Sequence, residues 1–145
     1  MPVRRLATED KGLPMNRRLE QVIAHPLHRH LGIDTIESDD GRARLSIVVG
    51  ETTVNPAGVL HGGVLYLLCD VCAYAGLLSR LDPGVEAVTH DIHVSVMRAV
   101  RAGQVVVFES TPVRVGRRIA FIDVSARVDE RVVAQARVTK TLVDV

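Results

Sequence analysis

One apolar segment constrains the fold more than any other part of the sequence. Residues 62–80 read GGVLYLLCDVCAYAGLLSR, which is rich in leucine and alanine and apolar on nearly all sides of a helix. The turn residues Asp82, Pro83 and Gly84 follow the segment and end it. A helix of this composition is stable only when most of its circumference is buried, so the rest of the chain must enclose it.

The rest of the chain offers strands for this purpose. Alternation of apolar and polar residues, clearest in ARLSIVV and AFIDVSARV, predicts one buried and one solvated face. A short helix is predicted at 16–24. Strands are predicted at 31–36, 43–49, 86–98, 104–115, 118–128 and 132–143. The turn-rich SDDG joins the first two strands, and short turns between the last four predict consecutive antiparallel hairpins.

These elements predict the fold class. An antiparallel sheet buries one face by packing on another element, and the helix at 62–80 is the only candidate of sufficient size. The prediction is an α+β protein with one antiparallel sheet curled around one long helix. Its 145 residues suit a single domain, expected at 16–145 after a flexible segment at 1–15.

Composition excludes several classes of partner. The net charge of +1 and the presence of only two tyrosines and two phenylalanines argue against nucleic-acid binding, which needs a basic surface and stacking partners. The N-terminal segment lacks the apolar stretch of a signal sequence. The longest apolar stretch, 64–78, is interrupted by Asp70 and is shorter than the roughly 20 residues of a membrane span. We therefore expect a cytoplasmic protein without a membrane or nucleic-acid partner.

Two groups of residues look like metal or redox motifs but are predicted to be structural. Cys69 and Cys72 form C-x-x-C well inside the helix, whereas a redox pair usually opens a helix and a structural zinc site needs four ligands. Both cysteines are therefore expected to pack in the core. The histidines of HPLHRH, residues 25–30, have no acidic or cysteine ligand close by, so a surface or entry-loop role is favoured. No metal site is predicted.

Few polar groups lie in or just before the long helix. They are Asn55, His61, Asp70 and the backbone amides of Gly62 and Gly63. Amides at a helix N-terminus lack intrahelical partners and lie at the positive end of the dipole, so they suit a developing oxyanion. The glycines form either such a site or only a tight entry into the helix. Asp70 is either a reacting carboxylate or a core carboxylate with a satisfied partner.

The spacing of these groups predicts an oligomer. Asp70 lies eight residues after Gly62, or roughly 12 Å along a helix that rises about 1.5 Å per residue. One chain therefore does not bring both groups to the same carbonyl. If they cooperate, a two-fold dimer with antiparallel helices places Asp70 of one chain opposite Asn55, His61 and Gly62 of the other.

One combination of residues resembles a known family. The pattern N-x-x-G-x-x-H-G-G-x(6)-D is occupied here by Asn55, Gly58, His61, Gly62, Gly63 and Asp70. It resembles the hotdog-fold acyl-CoA thioesterases of the phenylacetate-pathway and 4-hydroxybenzoyl-CoA thioesterase type. The resemblance covers about 31–143 and includes the order of elements. It implies hydrolysis of an acyl-CoA to a free acid and CoA, with CoA as part of the substrate and no further cofactor.

The resemblance also implies a role for each matched residue. Asp70 would activate the attacking water or attack the thioester carbonyl itself. Gly62 N–H and Asn55 of the facing subunit would hold the carbonyl oxygen, with His61 orienting that group. Thr89 would help to place the water.

Further residues are expected to contact the substrate. Gly63 and Tyr66 are candidates for the substrate pocket, and Arg117 and Arg118 are candidates for the CoA phosphates because guanidinium groups bind phosphate with two hydrogen bonds. Exposed turn arginines are as often only solvated surface. The dimer is expected to assemble further into a homotetramer.

Two other functions compete with hydrolysis. A hotdog dehydratase acting on 3-hydroxyacyl thioesters also pairs a histidine with a helix carboxylate, but its histidine followed by P-G-x-P is absent here. A non-catalytic acyl-CoA binder would use the same tunnel without needing the buried carboxylate of Asp70. A thiol-release assay with a panel of acyl-CoAs separates the three functions, since a binder releases nothing and a dehydratase changes absorbance without freeing CoA.

Overall fold

A computed structural model describes residues 13–145, with side chains from residue 17 onward. The flexible segment predicted at 1–15 lies outside these residues except for its last three, which begin the first helix. The elements in chain order are helix α1 (Leu13–Ala24), helix α2 (Pro26–His30), strands β1 (Ile36–Asp39) and β2 (Arg42–Val48), helix α3 (Gly62–Leu78), and strands β3 (Val85–Val96), β4 (Val105–Val115), β5 (Ile119–Val128) and β6 (Arg131–Asp144).

The predicted antiparallel sheet around one long helix is confirmed. The strands run in the order β1-β2-β4-β5-β6-β3, and each neighbouring pair is antiparallel. The inward residues of the strands, such as Phe108, Ile122 and Val138, are fully buried against α3. On α3 itself, Leu68 and Leu77 are equally inaccessible. None of the helices in the described part of the chain is long and apolar enough to cross a bilayer.

One face of α3 is covered only in part. Gly62, Tyr66, Asp70 and Tyr74 follow one another at intervals of four residues, and each is exposed or half-buried. Residues spaced in this way lie on one side of a helix. We call these four residues the open stripe of α3, and the candidate functional residues of the helix lie on it.

The predicted hairpin between β3 and β4 is wrong. Strand β3 pairs with β6 instead, and β4 lies between β2 and β5. The segment between β3 and β4 is held by the loop that precedes α3, because Leu60 N–H donates to Val100 O at 2.7 Å and Val59 bridges to Arg101. Strand β3 therefore forms an edge of the sheet as the described residues build it.

The N-terminal region also differs from the prediction. Pro26, expected only to end the first helix, occupies the first turn of α2, where a fixed φ and a missing N–H are favourable. Strand β1 begins at Ile36, so only one residue of the predicted strand 31–36 is in it. The SDDG turn narrows to Asp40 and Gly41, whose φ values of 48° and 81° fit a two-residue hairpin turn.

The first strands pack on α3 at a single glycine. A Cβ added to Gly76 would lie 2.7 Å from Gly41 O, 2.7 Å from Ser110 Oγ and 2.9 Å from Ala43 N. These are backbone atoms and a short side chain, which have little freedom to move away. The absence of a side chain at Gly76 therefore sets how closely the helix approaches β2 and β4.

We expect Gly76→Ala to lower the free energy of unfolding by about 1–3 kcal/mol, because overpacking here outweighs the better helix propensity of alanine. The measurement is the urea unfolding midpoint. The control is Gly50→Ala, where an added Cβ meets no atom within 4 Å. An unchanged midpoint for Gly76→Ala would show that the helix does not depend on this contact.

Candidate active site

The open stripe of α3 contributes to two separate clefts. The first, of about 510 Å³, contains Asp70 and Thr89 and is covered by residues of α1 and α2. The second, of about 330 Å³, contains Asn55 and Gly62. We call them the Asp70 cleft and the Gly62 cleft. Together they hold four of the nine site residues that the sequence singled out.

Asp70 is held through one of its two carboxylate oxygens. Its Oδ1 accepts a hydrogen bond from Thr89 Oγ1 at 2.6 Å and another from Lys140 Nζ at 2.9 Å. Lys140 Nζ also donates to Thr89 Oγ1 at 2.6 Å. Thr89 and Lys140 are direct cross-strand partners of β3 and β6, so the sheet register sets both donors opposite the helix. The side chain of Asp70 remains 38% exposed, whereas that of Lys140 is 2% exposed.

Lys140 was missed by the sequence analysis. Burial lowers the pKa of Lys140, and the nearby carboxylates of Asp70 and Glu86 oppose that effect. Its Nζ also lies 5.3 Å from the centre of the Tyr74 ring, within the range of a cation–π contact. The signal was present, because Lys140 is in phase with the inward residues Ala136 and Val138 of β6.

A second group of hydrogen bonds supports this cluster. Glu86 Oε1 accepts from Tyr74 Oη at 2.8 Å, from Arg18 Nη2 at 2.9 Å and from its neighbour's backbone N–H. Burial, and then the Glu86 carboxylate, raise the pKa of Tyr74 to about 12. Arg18 is 4% exposed although it is charged, and it joins α1 to the start of β3. These contacts fix α1 across one side of the Asp70 cleft.

The N-terminus of α3 offers one unused backbone donor. His61 is the N-cap, and its Nδ1 accepts from Gly63 N–H at 2.9 Å, so the ring proton of a neutral His61 lies on Nε2. Gly62 N–H has no hydrogen-bond partner among the described residues. A Cβ at Gly62 would meet no atom within 4 Å, so the approach to this amide is open. The amide of Gly63 is occupied.

Asn55 also presents a donor. Its Oδ1 accepts from the backbone N–H groups of Ala57 at 2.9 Å and Val59 at 3.2 Å, which closes the loop before α3. Gly58, with a φ of 80°, allows the tight turn inside this loop. The Nδ2 of Asn55 has no partner within the described part of the chain. Asn55 and Gly62, each with an N–H donor that has no partner among the described residues, thus line one cleft, and such donors suit a carbonyl oxygen.

One chain does not bring all the predicted residues together. Asp70 and Thr89 share the first cleft, and Asn55 and Gly62 share the second. Tyr66 lies between them on the open stripe and is 43% exposed. The turn arginines Arg117 and Arg118 line neither cleft; both are exposed and border a third depression of about 550 Å³ beside Val85 and Thr141.

The cysteines and histidines have structural surroundings. Cys69 and Cys72 are fully buried and free, as predicted, and burial raises the pKa of both thiols to about 12. His25 caps α2, its ring lies 4.7 Å from that of His28, and both line the Asp70 cleft. Among the described residues, no three His, Cys, Asp or Glu side chains are grouped as a metal site would require.

The sequence matches one family of known proteins. The Thioesterase superfamily matches residues 57–134, which is more than half of the chain. A Deinococcus radiodurans protein that carries the provisional name of esterase is 35% identical over 97 residues, which are 67% of this chain and 64% of that protein. Human acyl-coenzyme A thioesterase 13 is 28% identical over 136 residues, covering 88% of this chain and 96% of the relative.

Solved structures share the whole fold. A thioesterase from Haemophilus influenzae superposes with a TM-score of 0.78 at 28% identity, over 99% of this chain and 96% of that chain. A hypothetical thioesterase from Streptococcus pneumoniae, solved with coenzyme A, gives a TM-score of 0.70 at 26% identity over 76% of this chain and 85% of the other.

Proposed function

The chain belongs to the Thioesterase superfamily, and from that premise we propose that it hydrolyses acyl-CoA thioesters to a free acid and CoA. The observation that carries the proposal is the placement of Asp70 on the open stripe of α3, bonded through one oxygen to Thr89 and Lys140. The name of the human relative and the coenzyme A in the streptococcal structure support an acyl-CoA as the substrate.

The reaction needs few groups. A thioester has a good leaving thiolate, so a carboxylate and an oxyanion site suffice. Asp70 acts either as the general base that takes a proton from water or as the nucleophile. Gly62 N–H and Asn55 Nδ2 stabilise the negative charge that develops on the carbonyl oxygen. His61 keeps the amide of Gly63 occupied and so fixes the first turn of the helix.

The acyl and CoA parts are assigned to different surfaces. We place the acyl group in the Asp70 cleft, where Val22, Val71 and Val88 supply apolar walls. Tyr66 lies beside the reacting carbonyl on the open stripe. Arg117 and Arg118 stay candidates for the CoA phosphates, because they are exposed and form no ion pair with a described residue that would compete.

We also propose that the complete site forms between two copies of the chain. Along α3, Gly62 and Asp70 lie roughly 12 Å apart at about 1.5 Å per residue, too far for one carbonyl to reach both. Strand β3 is a 12-residue edge strand, and long edges invite pairing with another chain. Antiparallel pairing of β3 with its symmetry mate would set the two α3 helices antiparallel. Assembly of two such dimers into a tetramer stays a prediction.

We expect Asp70→Asn to fold normally and to lose at least about 100-fold in kcat, because the amide neither takes a proton from water nor attacks the carbonyl. Thiol release from a panel of acyl-CoAs measures the loss, and circular dichroism measures the fold. Asp39→Asn is the control, since Asp39 is exposed on β1 at the other edge of the sheet. Near wild-type turnover by Asp70→Asn would refute this mechanism.

Mixed dimers test whether the site is shared. Asp70→Asn and Asn55→Asp should each be inactive; Asn55→Asp keeps the Oδ1 that closes the loop but removes the amide donor. When the two variants are co-expressed at equal levels, half of the dimers are mixed and each contains one intact site. Activity should then return to about a quarter of the wild-type level for a two-fold dimer.

The matched control pairs Asp70→Asn with Thr89→Val. Both positions lie in the same cleft of one chain, so every mixed dimer keeps a defect in each site. The activity of the co-expressed pair is not expected to exceed the activity that the two variants show separately. If Asp70→Asn with Asn55→Asp behaves like this control, the two clefts do not complete one another across subunits.

A further inference from the structure

We propose that Lys140 is the positioning residue of Asp70: it directs the Thr89 hydroxyl toward Oδ1 and leaves Oδ2 as the only carboxylate oxygen free to react. The inference rests on the proposed thioester hydrolysis. It assigns a role to a residue that the sequence pattern does not contain, and it names the oxygen of Asp70 that acts.

The first step concerns the position of the lysine. Lys140 is 2% exposed on the inward face of a sheet whose neighbouring inward residues are alanine and valine. Burial of an ammonium group costs several kcal/mol unless it is paired and hydrogen-bonded. Its partners are Asp70 Oδ1 and Thr89 Oγ1, with the Tyr74 ring beneath it. The site around Asp70 is therefore the place where this cost is offset.

The second step follows from the number of donors. An ammonium group only donates, so Thr89 Oγ1 must accept from Lys140. The single hydroxyl proton of Thr89 is then free to go to Asp70 Oδ1, which it meets at 2.6 Å. Thr89 Oγ1 can therefore only accept a hydrogen bond from the attacking water, because its own proton is already donated to Asp70. This adds a direction to the role that the family resemblance implies, in which Thr89 helps to place the water.

The third step concerns the carboxylate. Oδ1 accepts both hydrogen bonds, and Oδ2 has no partner among the described residues. Because the side chain of Asp70 is 38% exposed, Oδ2 remains within reach of water and substrate. The carboxylate cannot rotate without breaking two short hydrogen bonds, one of them charge-assisted. Lys140 and Thr89 thus hold Oδ2 toward the cleft.

Other charged and titratable groups face the same cleft. Tyr74 lies on α3, Glu86 on β3, and Arg18, His25 and His28 lie on or next to the N-terminal helices. Glu86 and Arg18 are paired with each other. All five side chains stay unchanged in the variants below. Of the five, Glu86 also interacts electrostatically with Lys140, so removal of the lysine charge changes the surroundings of Glu86 as well as those of Asp70.

The test compares Lys140→Met, Lys140→Gln and Lys140→Arg. Loss of the positive charge makes the charged carboxylate less favourable, so activity should require a higher pH. We expect Met and Gln to lower kcat at neutral pH by at least about tenfold, with KM changed less than about twofold, and to move the acid limb of the pH–rate profile upward. Part of the lost rate should return at alkaline pH. Lys140→Arg should keep most of the wild-type kcat and limb position.

The control is Arg137→Met, which removes a cation and its ion pair with Asp123 from the outward face of the same strand. Arg137→Met should change neither kcat nor the position of the acid limb of the pH–rate profile. Lys140→Gln carries the test if Lys140→Met does not fold, as judged by circular dichroism. A folded Lys140→Met or Lys140→Gln variant with wild-type kcat and an unchanged acid limb of the pH–rate profile would overturn this inference and would leave the proposed function standing. If the wild-type protein frees no thiol from any acyl-CoA, the proposed function and this inference both fail.

Discussion

The burial of α3 inside the curled sheet is the interaction on which the rest of the structure depends. The helix is apolar on nearly every side, and all six strands and α1 contact it directly. The open stripe of Gly62, Tyr66, Asp70 and Tyr74 stays exposed or half-buried. A buried helix has few places for polar chemistry, so the stripe is where the reacting carboxylate and the backbone donor must both lie. Because both groups lie on one helix, the carboxylate of Asp70 and the backbone N–H of Gly62 are separated along the helix axis.

This separation links the chemistry to assembly. A carboxylate in the middle of a helix and an amide at its N-terminus do not serve one carbonyl, because the helix is rigid and rises by a fixed amount per residue. A second, antiparallel copy supplies the missing half of each site with no change in the fold of either chain. The exposed edge of β3 gives such a copy a place to pair.

The Asp70 cluster also depends on the sheet. Lys140 and Thr89 reach Asp70 because β3 pairs with β6 in a register that sets them side by side. Had β3 paired with β4, as expected from chain order, the lysine and the threonine would not be neighbours. The register between β3 and β6 therefore determines which donors the carboxylate receives.

Periodicity was sufficient to predict α3 and the approximate positions of β2 to β6, since these depend on which side chains alternate or cluster along the chain; it misplaced β1, which shares only Ile36 with the predicted strand 31–36. It did not predict that β3 pairs with β6, because alternation records which face is buried and not which strand is adjacent. It missed α2, since Pro26 was treated only as a helix terminator. Asn55, Gly62 and Asp70 were found through their spacing. Lys140 was missed because lysine is usually exposed, although its phase in β6 pointed inward.

The most direct measurement is a crystal structure of the protein with a non-hydrolysable acyl-CoA analogue, such as a CoA thioether that keeps the ketone carbonyl. The account predicts a dimer in which the attacking oxygen, either Asp70 Oδ2 itself or a water hydrogen-bonded to Oδ2, lies about 3–3.5 Å from the carbonyl carbon. The carbonyl oxygen should accept from Gly62 N–H and Asn55 Nδ2 of the other subunit. An analogue held by Gly62 and Asp70 of the same chain, or a carbonyl remote from Asp70, would contradict it.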